Sequence, residues 1–138
     1  MNEEKKYFDL HTRGIGYISR LRTVTPKGKK SASFLACSIA ALRGDSESKE
    51  YTYFDVKICG QKAIETLKEY ADKLNKEQKV FASFVVGDAY PEVYTNKKGE
   101  LCHYIKGRLL KLPLLRIDGK EIYREPKETP DENHSLAA

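Results

Sequence analysis

The stretch YTYFDVKICGQKAIETLKEYADKL, residues 51–74, changes its periodicity halfway along. From Tyr51 to Cys59 apolar and polar residues alternate, which is typical of a strand with one buried face. The apolar side of that strand consists of Phe54, Val56 and Ile58. After Gly60 apolar residues recur every three or four positions, and this spacing predicts an amphipathic helix. The helical positions are Ile64, Leu67, Ala71 and Leu74.

Strand-like segments flank this strand-to-helix unit on both sides. Two precede it, residues 14–24 and 33–42, and a basic turn at residues 26–30 separates them. Residues 80–86 and 90–94 follow the helix with a bend expected at Gly87-Asp88, and residues 101–123 add at least one more strand, interrupted at Pro113 and at the Asp118-Gly119 turn.

The order of these elements is three strands, one helix, then two or more strands. A helix between the third and fourth strands is the connectivity of an OB-fold, so we predict an all-β protein with one helix, built as a five-stranded OB barrel. A different small α+β sheet with one helix is the alternative.

The length of 138 residues suits a single domain, and we assign residues 1–123 to it. Residues 124–138 contain two prolines and no apolar periodicity, so we expect a disordered tail. No stretch reaches the ~20 apolar residues that span a bilayer, and the first residues lack the apolar core of a signal peptide. A cytoplasmic location with no membrane partner is expected.

The charge balance favours an anionic partner. Lys and Arg number 25 against 20 Asp and Glu, and the formal net charge is +5. Phosphate neutralisation by such cations is rewarded by counterion release. Surface lysines that only solvate the domain are the alternative explanation.

Catalytic and metal-binding motifs are not found in the sequence. Cys37, Cys59 and Cys102 have no metal-ligand spacing, and we expect them to be buried or half-buried free thiols. The three histidines lie far apart, so no metal, no cofactor and no enzymatic activity are expected. The remaining enzymatic alternative is a metal-dependent nuclease built from aspartates that converge in space: Asp9, Asp55, Asp88 and Asp118.

Tyrosines next to cations are the candidate nucleic-acid-binding residues. Bases stack on aromatic rings while ammonium and guanidinium groups meet phosphate, which is the chemistry of single-strand binding. The polar side of the 51–59 strand carries one such group, a predicted hairpin arm and tip carry a second, and the first strand adds two arginines. The candidates are Tyr51, Tyr53 and Lys57; Tyr90, Tyr94, Lys97 and Lys98; and Arg20 and Arg22.

Residues 14–112 resemble the bacterial single-stranded DNA-binding protein (SSB) family. The likeness rests on a glycine-rich first strand with an arginine, on residues 33–36 (SFLA), on residues 53–60 (YFDVKICG) leading into a helix, and on a hairpin at 94–99 (YTNKKG). It implies that Tyr53 and Tyr94 stand at the positions of base-stacking tryptophans. Cys59 replaces another stacking aromatic, which implies weaker binding. Residues 134–138 (HSLAA) do not resemble the acidic C-terminal tip that recruits partners in that family, so we do not expect recruitment by that route.

A closer resemblance covers most of the chain. Residues 7–12 (YFDLHT), 14–17 (GIGY), 41–45 (ALRGD) and 106–110 (KGRLL) are similar to a DUF3577-like domain family of unknown function, encoded on integrative and conjugative elements and labelled a replication protein of such elements. This resemblance implies a role in processing the DNA of a mobile element in a bacterium.

The function predicted from the sequence is binding of single-stranded DNA during replication or transfer of a mobile genetic element. A homo-oligomer, either dimer or tetramer, is expected because related barrels assemble through their sheets, and replication or conjugation proteins are further candidate partners. In the alternative, the chain is an OB-fold interaction subunit of such a complex with little affinity for nucleic acid, and its exposed tyrosines anchor a protein partner.

Overall fold

The computed structural model describes residues 8–25, 33–71 and 79–124, which form six strands and one helix. The elements are β1 (His11–Val24), β2 (Phe34–Arg43), β3 (Glu50–Ile58), α1 (Gln61–Glu69), β4 (Val80–Thr95), β5 (Leu101–Ile117) and β6 (Lys120–Arg124). The strand order is β3-β2-β1-β4-β5-β6, and an additional parallel pairing of β3 with β5 closes the first five strands into a ring. The predicted fold class is therefore confirmed: a five-stranded OB barrel with its helix between β3 and β4.

Strand β4 runs through the expected bend at Gly87-Asp88. The register with β5 shifts between Gly87 and Tyr90, and Asp88 adopts a positive φ of 57°. A bulge of this kind bends a strand without ending it. Beyond the bulge β4 and β5 stay paired as a long hairpin arm, up to Thr95 and Leu101.

Strand β5 likewise continues through Pro113, where the sequence predicts an interruption. Pro113 falls at a register shift, because Ser83 pairs with Leu114 and Val85 pairs with Lys111. Proline has no N–H to donate, so a position outside the regular ladder tolerates it. The Asp118-Gly119 turn is present, both of its residues have positive φ, and β6 follows it.

Three sequence expectations fall partly or wholly outside the described residues. The basic turn at 26–30 does so completely, and the predicted helix does so from residue 72 onward. Strand β6 ends at Arg124, and the rest of the expected tail, residues 125–138, is likewise outside. In the described part of the chain, no helix is long and apolar enough to cross a membrane.

The core fills the barrel and the interface with α1. Its centre includes Phe84 and Phe54, whose ring centroids are 5.9 Å apart, and Leu67 of α1 is completely buried. Gly60 joins β3 to α1 against β5, and a Cβ at this position would collide with the Leu110 carbonyl oxygen. Only glycine fits that approach, so the residue that ends the alternation in the sequence also permits the packing.

Cys37 provides a chemical test of this core. Its side chain is buried, and burial raises the pKa of the thiol from 9.0 to about 12. Since the thiolate is the reactive form, we expect a thiol reagent at neutral pH to modify half-buried Cys59 and Cys102 first, and Cys37 only after unfolding. Mass spectrometry of labelled protein with and without denaturant measures this order. Equal native labelling of Cys37 and Cys102 would contradict the assigned core.

Candidate nucleic-acid interface

The outer face of β3 carries the first group of candidate residues. Its inner side chains are buried, as the alternation predicts, whereas Tyr53 is 60% exposed and Tyr51 38% exposed. The two tyrosine rings lie 6.2 Å apart between centroids. Asp55 and Lys57 continue the same face toward the helix end of the strand. The strand therefore presents two aromatic surfaces, then a carboxylate, then an ammonium group.

The β4–β5 arm places further side chains next to that face. Tyr94 pairs with Cys102 across the two strands, Glu92 with Tyr104, and Tyr90 with Lys106. Cross-strand partners share a face of the sheet, so these three pairs of side chains all lie on the same face of the arm. The Tyr94 and Tyr104 rings contact edge to face, with centroids 5.3 Å apart.

A cavity of about 560 Å³ brings the principal candidates together. Tyr53 from β3, Tyr94 from β4 and Arg20 from β1 line it, and so do Tyr104 and His103 from β5. The sequence did not predict the last two residues. The only signal available was the alternate position of Tyr104 on a strand whose register with β4 was unknown.

A second cavity, of about 450 Å³, lies alongside the first, and Asp55 lines both. Arg22, Lys57 and Tyr90 line it, and all three are predicted site residues. The residues of this cavity that were not predicted as site residues include Phe34, Lys106 and Arg108. We call the two cavities together the groove, which thus holds six of the nine predicted site residues.

Strand pairing explains why cations gather in the second cavity. Arg22 pairs with Ala36, Ala36 with Lys57, and Lys57 with Arg108, so one row of side chains crosses four strands. Ala36 is small and buried and leaves the space between the cations open. The Nζ atom of Lys57 lies 4.9 Å from the centroid of the Phe34 ring, a cation–π distance.

Two of the cations in this row are already ion-paired. The Arg22 Nη2 atom lies 2.6 Å from Asp55 Oδ1, and the Arg108 Nη2 atom lies 2.7 Å from Asp88 Oδ2. Both pairs are partly exposed, so water and salt weaken them. Arg22 was predicted as a plain phosphate contact, and the structure adds that a carboxylate holds its guanidinium.

A bulge in β1 positions the arginines. Ser19 pairs with Ser38 but Arg22 pairs with Ala36, so β1 contains one extra residue in this interval. Arg20 takes a positive φ of 55° there, and its Nη1 atom donates to Ser38 Oγ at 3.3 Å. The bulge leaves Arg20 and Arg22 on the outer surface while Leu21 enters the core.

The remaining three candidates lie outside both cavities. Lys97 and Lys98 occupy the turn at the tip of the arm, where the Asn96 side chain accepts the backbone N–H of Lys98. Tyr51 lies beside Tyr53 but lines neither cavity. These residues extend the surface of the groove at its two margins.

The ionisation state of Tyr94 suits a stacking role. A hydrogen bond with the Cys102 thiol raises the pKa of Tyr94 above its ordinary value of 10.0. The phenol is neutral at physiological pH, as that of an unperturbed tyrosine also is. A neutral ring stacks on a base without placing a negative charge beside the phosphates.

Three of the four aspartates of the nuclease alternative are engaged in separate contacts. Asp55 and Asp88 bind different arginines, and Asp118 Oδ1 accepts the Lys79 backbone N–H at 3.2 Å. Within residues 8–25, 33–71 and 79–124, no group of three His, Cys, Asp or Glu side chains is placed to hold a metal ion.

Comparison with known proteins finds one family and several structural relatives. A family model described as a protein of unknown function (DUF3577) matches residues 1–131. No curated protein matches the chain.

The structural relatives have low sequence identity to this chain. A small single-stranded DNA-binding protein from Mycoplasma pneumoniae is 16% identical, with a TM-score of 0.42, covering 77% of this chain and 92% of its own. The mitochondrial single-stranded DNA-binding protein Rim1 of S. cerevisiae is 13% identical, with a TM-score of 0.44, covering 87% and 100%. A Plasmodium falciparum SSB in complex with single-stranded DNA is 13% identical, with a TM-score of 0.43, covering 89% and 100%.

Proposed function

The chain belongs to DUF3577, a family of proteins of unknown function, and we propose from the chemistry of its groove that it binds single-stranded DNA. The observation that carries this proposal is the convergence of Tyr53, Tyr94 and Tyr104 in one cavity beside a cation-lined second cavity. Exposed rings of this kind serve unstacked bases. In a duplex the bases are stacked on one another inside the helix, so their faces are not accessible to the tyrosine rings.

Stacking supplies the sequence-tolerant part of the binding energy. Base–aromatic stacking is worth roughly 1–3 kcal/mol per base, because every base has a π-face. Tyr53 is well exposed, and Tyr94 is held by its contact with Tyr104. Each of the two rings therefore offers a stacking surface to a base within the same cavity.

Basic side chains supply the salt-dependent part of the binding energy. Five basic side chains line the groove against two carboxylates, Asp55 and Asp88. The basic residues are Arg20, Arg22, Lys57, Lys106 and Arg108. We expect phosphates to approach Lys57 and Lys106 first, because Asp55 and Asp88 pair with arginines and leave these two lysines without a carboxylate partner among the described residues. Lys97 and Lys98 at the arm tip then meet the strand as it leaves the groove.

Fluorescence anisotropy with labelled oligo-dT, an equal-length duplex and an equal-length RNA at several salt concentrations tests the proposal. We expect tightest binding to the single-stranded DNA and a steep fall in affinity with salt. Replacing Lys57 and Lys106 by alanine should flatten the slope of log K against log salt by about 0.7 for each phosphate that is no longer neutralised.

The matched control removes Lys49 and Lys120, two exposed lysines outside both cavities, and should leave the slope unchanged apart from a small long-range effect. If none of the three nucleic acids binds at low salt, the proposal is wrong. In that outcome the groove tyrosines become candidates for a protein contact, as in the interaction-subunit alternative.

The biological setting we propose is replication or transfer of a mobile genetic element, in a homo-oligomer. Support for the mobile-element role comes from the resemblance of residues 7–12, 41–45 and 106–110 to a family encoded on such elements. Two of these segments also have structural roles. Residues 41–45 contain the end of β2, and residues 106–110 lie in β5 along the groove.

A further inference from the structure

A carboxylate such as that of Asp55 is not expected in a surface that binds only phosphate. Asp55 lies on the outer face of β3 between Tyr53 and Lys57, and it lines both cavities of the groove. Its side chain keeps 21% of its surface exposed. A carboxylate at this position repels a phosphate and attracts N–H donors. The DNA backbone is therefore expected to pass along the cations, while the base edges turn toward Asp55.

The carboxylate retains hydrogen-bonding capacity. Its Oδ1 atom accepts from Arg22 Nη2 at 2.6 Å, and within the described residues no side-chain hydrogen bond to Oδ2 is formed. An ionised carboxylate has about four lone-pair sites, so at least Oδ2 and one site on Oδ1 stay available to a ligand. The charge-assisted contact with Arg22 fixes the orientation of the carboxylate.

Donors stand next to this acceptor. Ser38 is the cross-strand partner of Asp55, and its hydroxyl accepts from the Arg20 guanidinium at 3.3 Å. All three residues line the cavity that also contains the Tyr53 and Tyr94 rings. A base stacked on one of those rings would therefore lie in the same cavity as a carboxylate, a guanidinium and a hydroxyl.

We propose that Asp55 makes the groove select guanine over thymine, an inference that rests on the proposed binding of single-stranded DNA. Guanine presents two N–H donors, at N1 and N2, beside the acceptor O6, and this edge complements the carboxylate of Asp55 next to the donors of Arg20 and Ser38. Thymine presents one N–H between two carbonyl oxygens, and those oxygens face the carboxylate unfavourably. Adenine and cytosine each offer one amino group, so we expect their affinities to lie between those of guanine and thymine.

Anisotropy titrations with oligo-dT carrying a few separated central substitutions by guanine or inosine test this selectivity on the unaltered protein. We expect guanine to bind about fivefold or more tightly than thymine, by analogy with the discrimination that paired hydrogen bonds to base edges provide. Inosine lacks the N2 amino group and should lose part of that gain. No variant is needed for this comparison, so it holds even if a substitution at Asp55 disturbs folding.

Asp55→Asn is expected to abolish the guanine preference while binding oligo-dT at least as tightly as the unaltered protein, because one negative charge leaves the groove. The matched control is Asp88→Asn, which removes the other carboxylate of the second cavity. It should strengthen binding to every oligonucleotide alike and leave the preference intact. Thermal melting checks that both variants fold.

Equal affinity for guanine, inosine and thymine oligonucleotides would overturn the proposal and leave Asp55 as an anchor for Arg22 only. A preference that survives Asp55→Asn in a folded variant would overturn it as well. Absence of binding to all oligonucleotides would instead contradict the proposed function, so the two failures are distinguishable.

Discussion

Replacing both Tyr53 and Tyr94 by alanine is expected to weaken binding of oligo-dT by at least about thirtyfold, since two stacking contacts together are worth roughly 2–6 kcal/mol. Both rings line the same cavity, and they reach it from different strands, β3 and β4. Neither is part of the buried core. The loss should therefore appear in anisotropy titrations without a matching loss of folding.

Conservative and neighbouring substitutions separate stacking from other effects. Tyr53→Phe and Tyr94→Phe keep the rings and should retain most of the affinity, with Tyr94→Phe also removing the Cys102 hydrogen bond. Tyr51→Ala removes a neighbouring ring that lines neither cavity, and a clearly smaller effect is expected. Affinity that survives the double alanine substitution would show that the strand does not pass through this cavity.

Phe84→Ala is expected to lower the free energy of unfolding by about 3–5 kcal/mol, the usual cost of emptying a large buried aromatic site. Phe84 is 2% exposed, and its ring contacts Phe54 and lies beneath Gly14. Because a domain of this kind has only about 5–15 kcal/mol of stability in total, the variant should be close to unfolding at physiological temperature. Urea denaturation followed by circular dichroism measures the change.

The matched control for this substitution is Phe8→Ala, where the same side chain is 92% exposed. Its removal should change stability by less than about 0.5 kcal/mol, as is usual for surface positions. Similar losses for the two variants would contradict the placement of Phe84 at the centre of the barrel. A folded Phe84→Ala protein should also bind DNA less tightly, because Tyr53 is positioned by the strand that packs Phe54 against Phe84.

Local patterns in the sequence determined the elements and their faces. Alternation along residues 51–59 was sufficient to assign Tyr53 and Lys57 to the exposed side of a strand, because side chains of a strand alternate with a period of two. The change of period at Gly60 located the helix, and the order of elements then indicated the barrel. Each of these inferences depends on neighbours within a few residues, where backbone geometry leaves few choices.

Local patterns were less reliable for predicting where a strand ends when tertiary contacts accommodate an irregular residue within it. Pro113 was predicted to interrupt its strand, yet β5 continues through it, whereas β4 continues through the bend predicted at Gly87-Asp88. Register shifts place these residues at bulges, where a missing N–H or a positive φ costs little. The partner strand decides whether a bulge forms, and the sequence of one strand does not contain that information.

The sequence by itself determined the fold class, the exposed face of β3 and the residue types needed for stacking and phosphate contact. The tertiary structure alone decided which of them meet: the parallel pairing of β3 with β5 brings Lys106 and Arg108 to Lys57, and the β4–β5 register sets Tyr104 against Tyr94. It also decided that Asp55 holds Arg22. The physical reason is that alternation specifies the side of a strand on which a residue lies, whereas its neighbours across the sheet depend on register between segments distant in the chain.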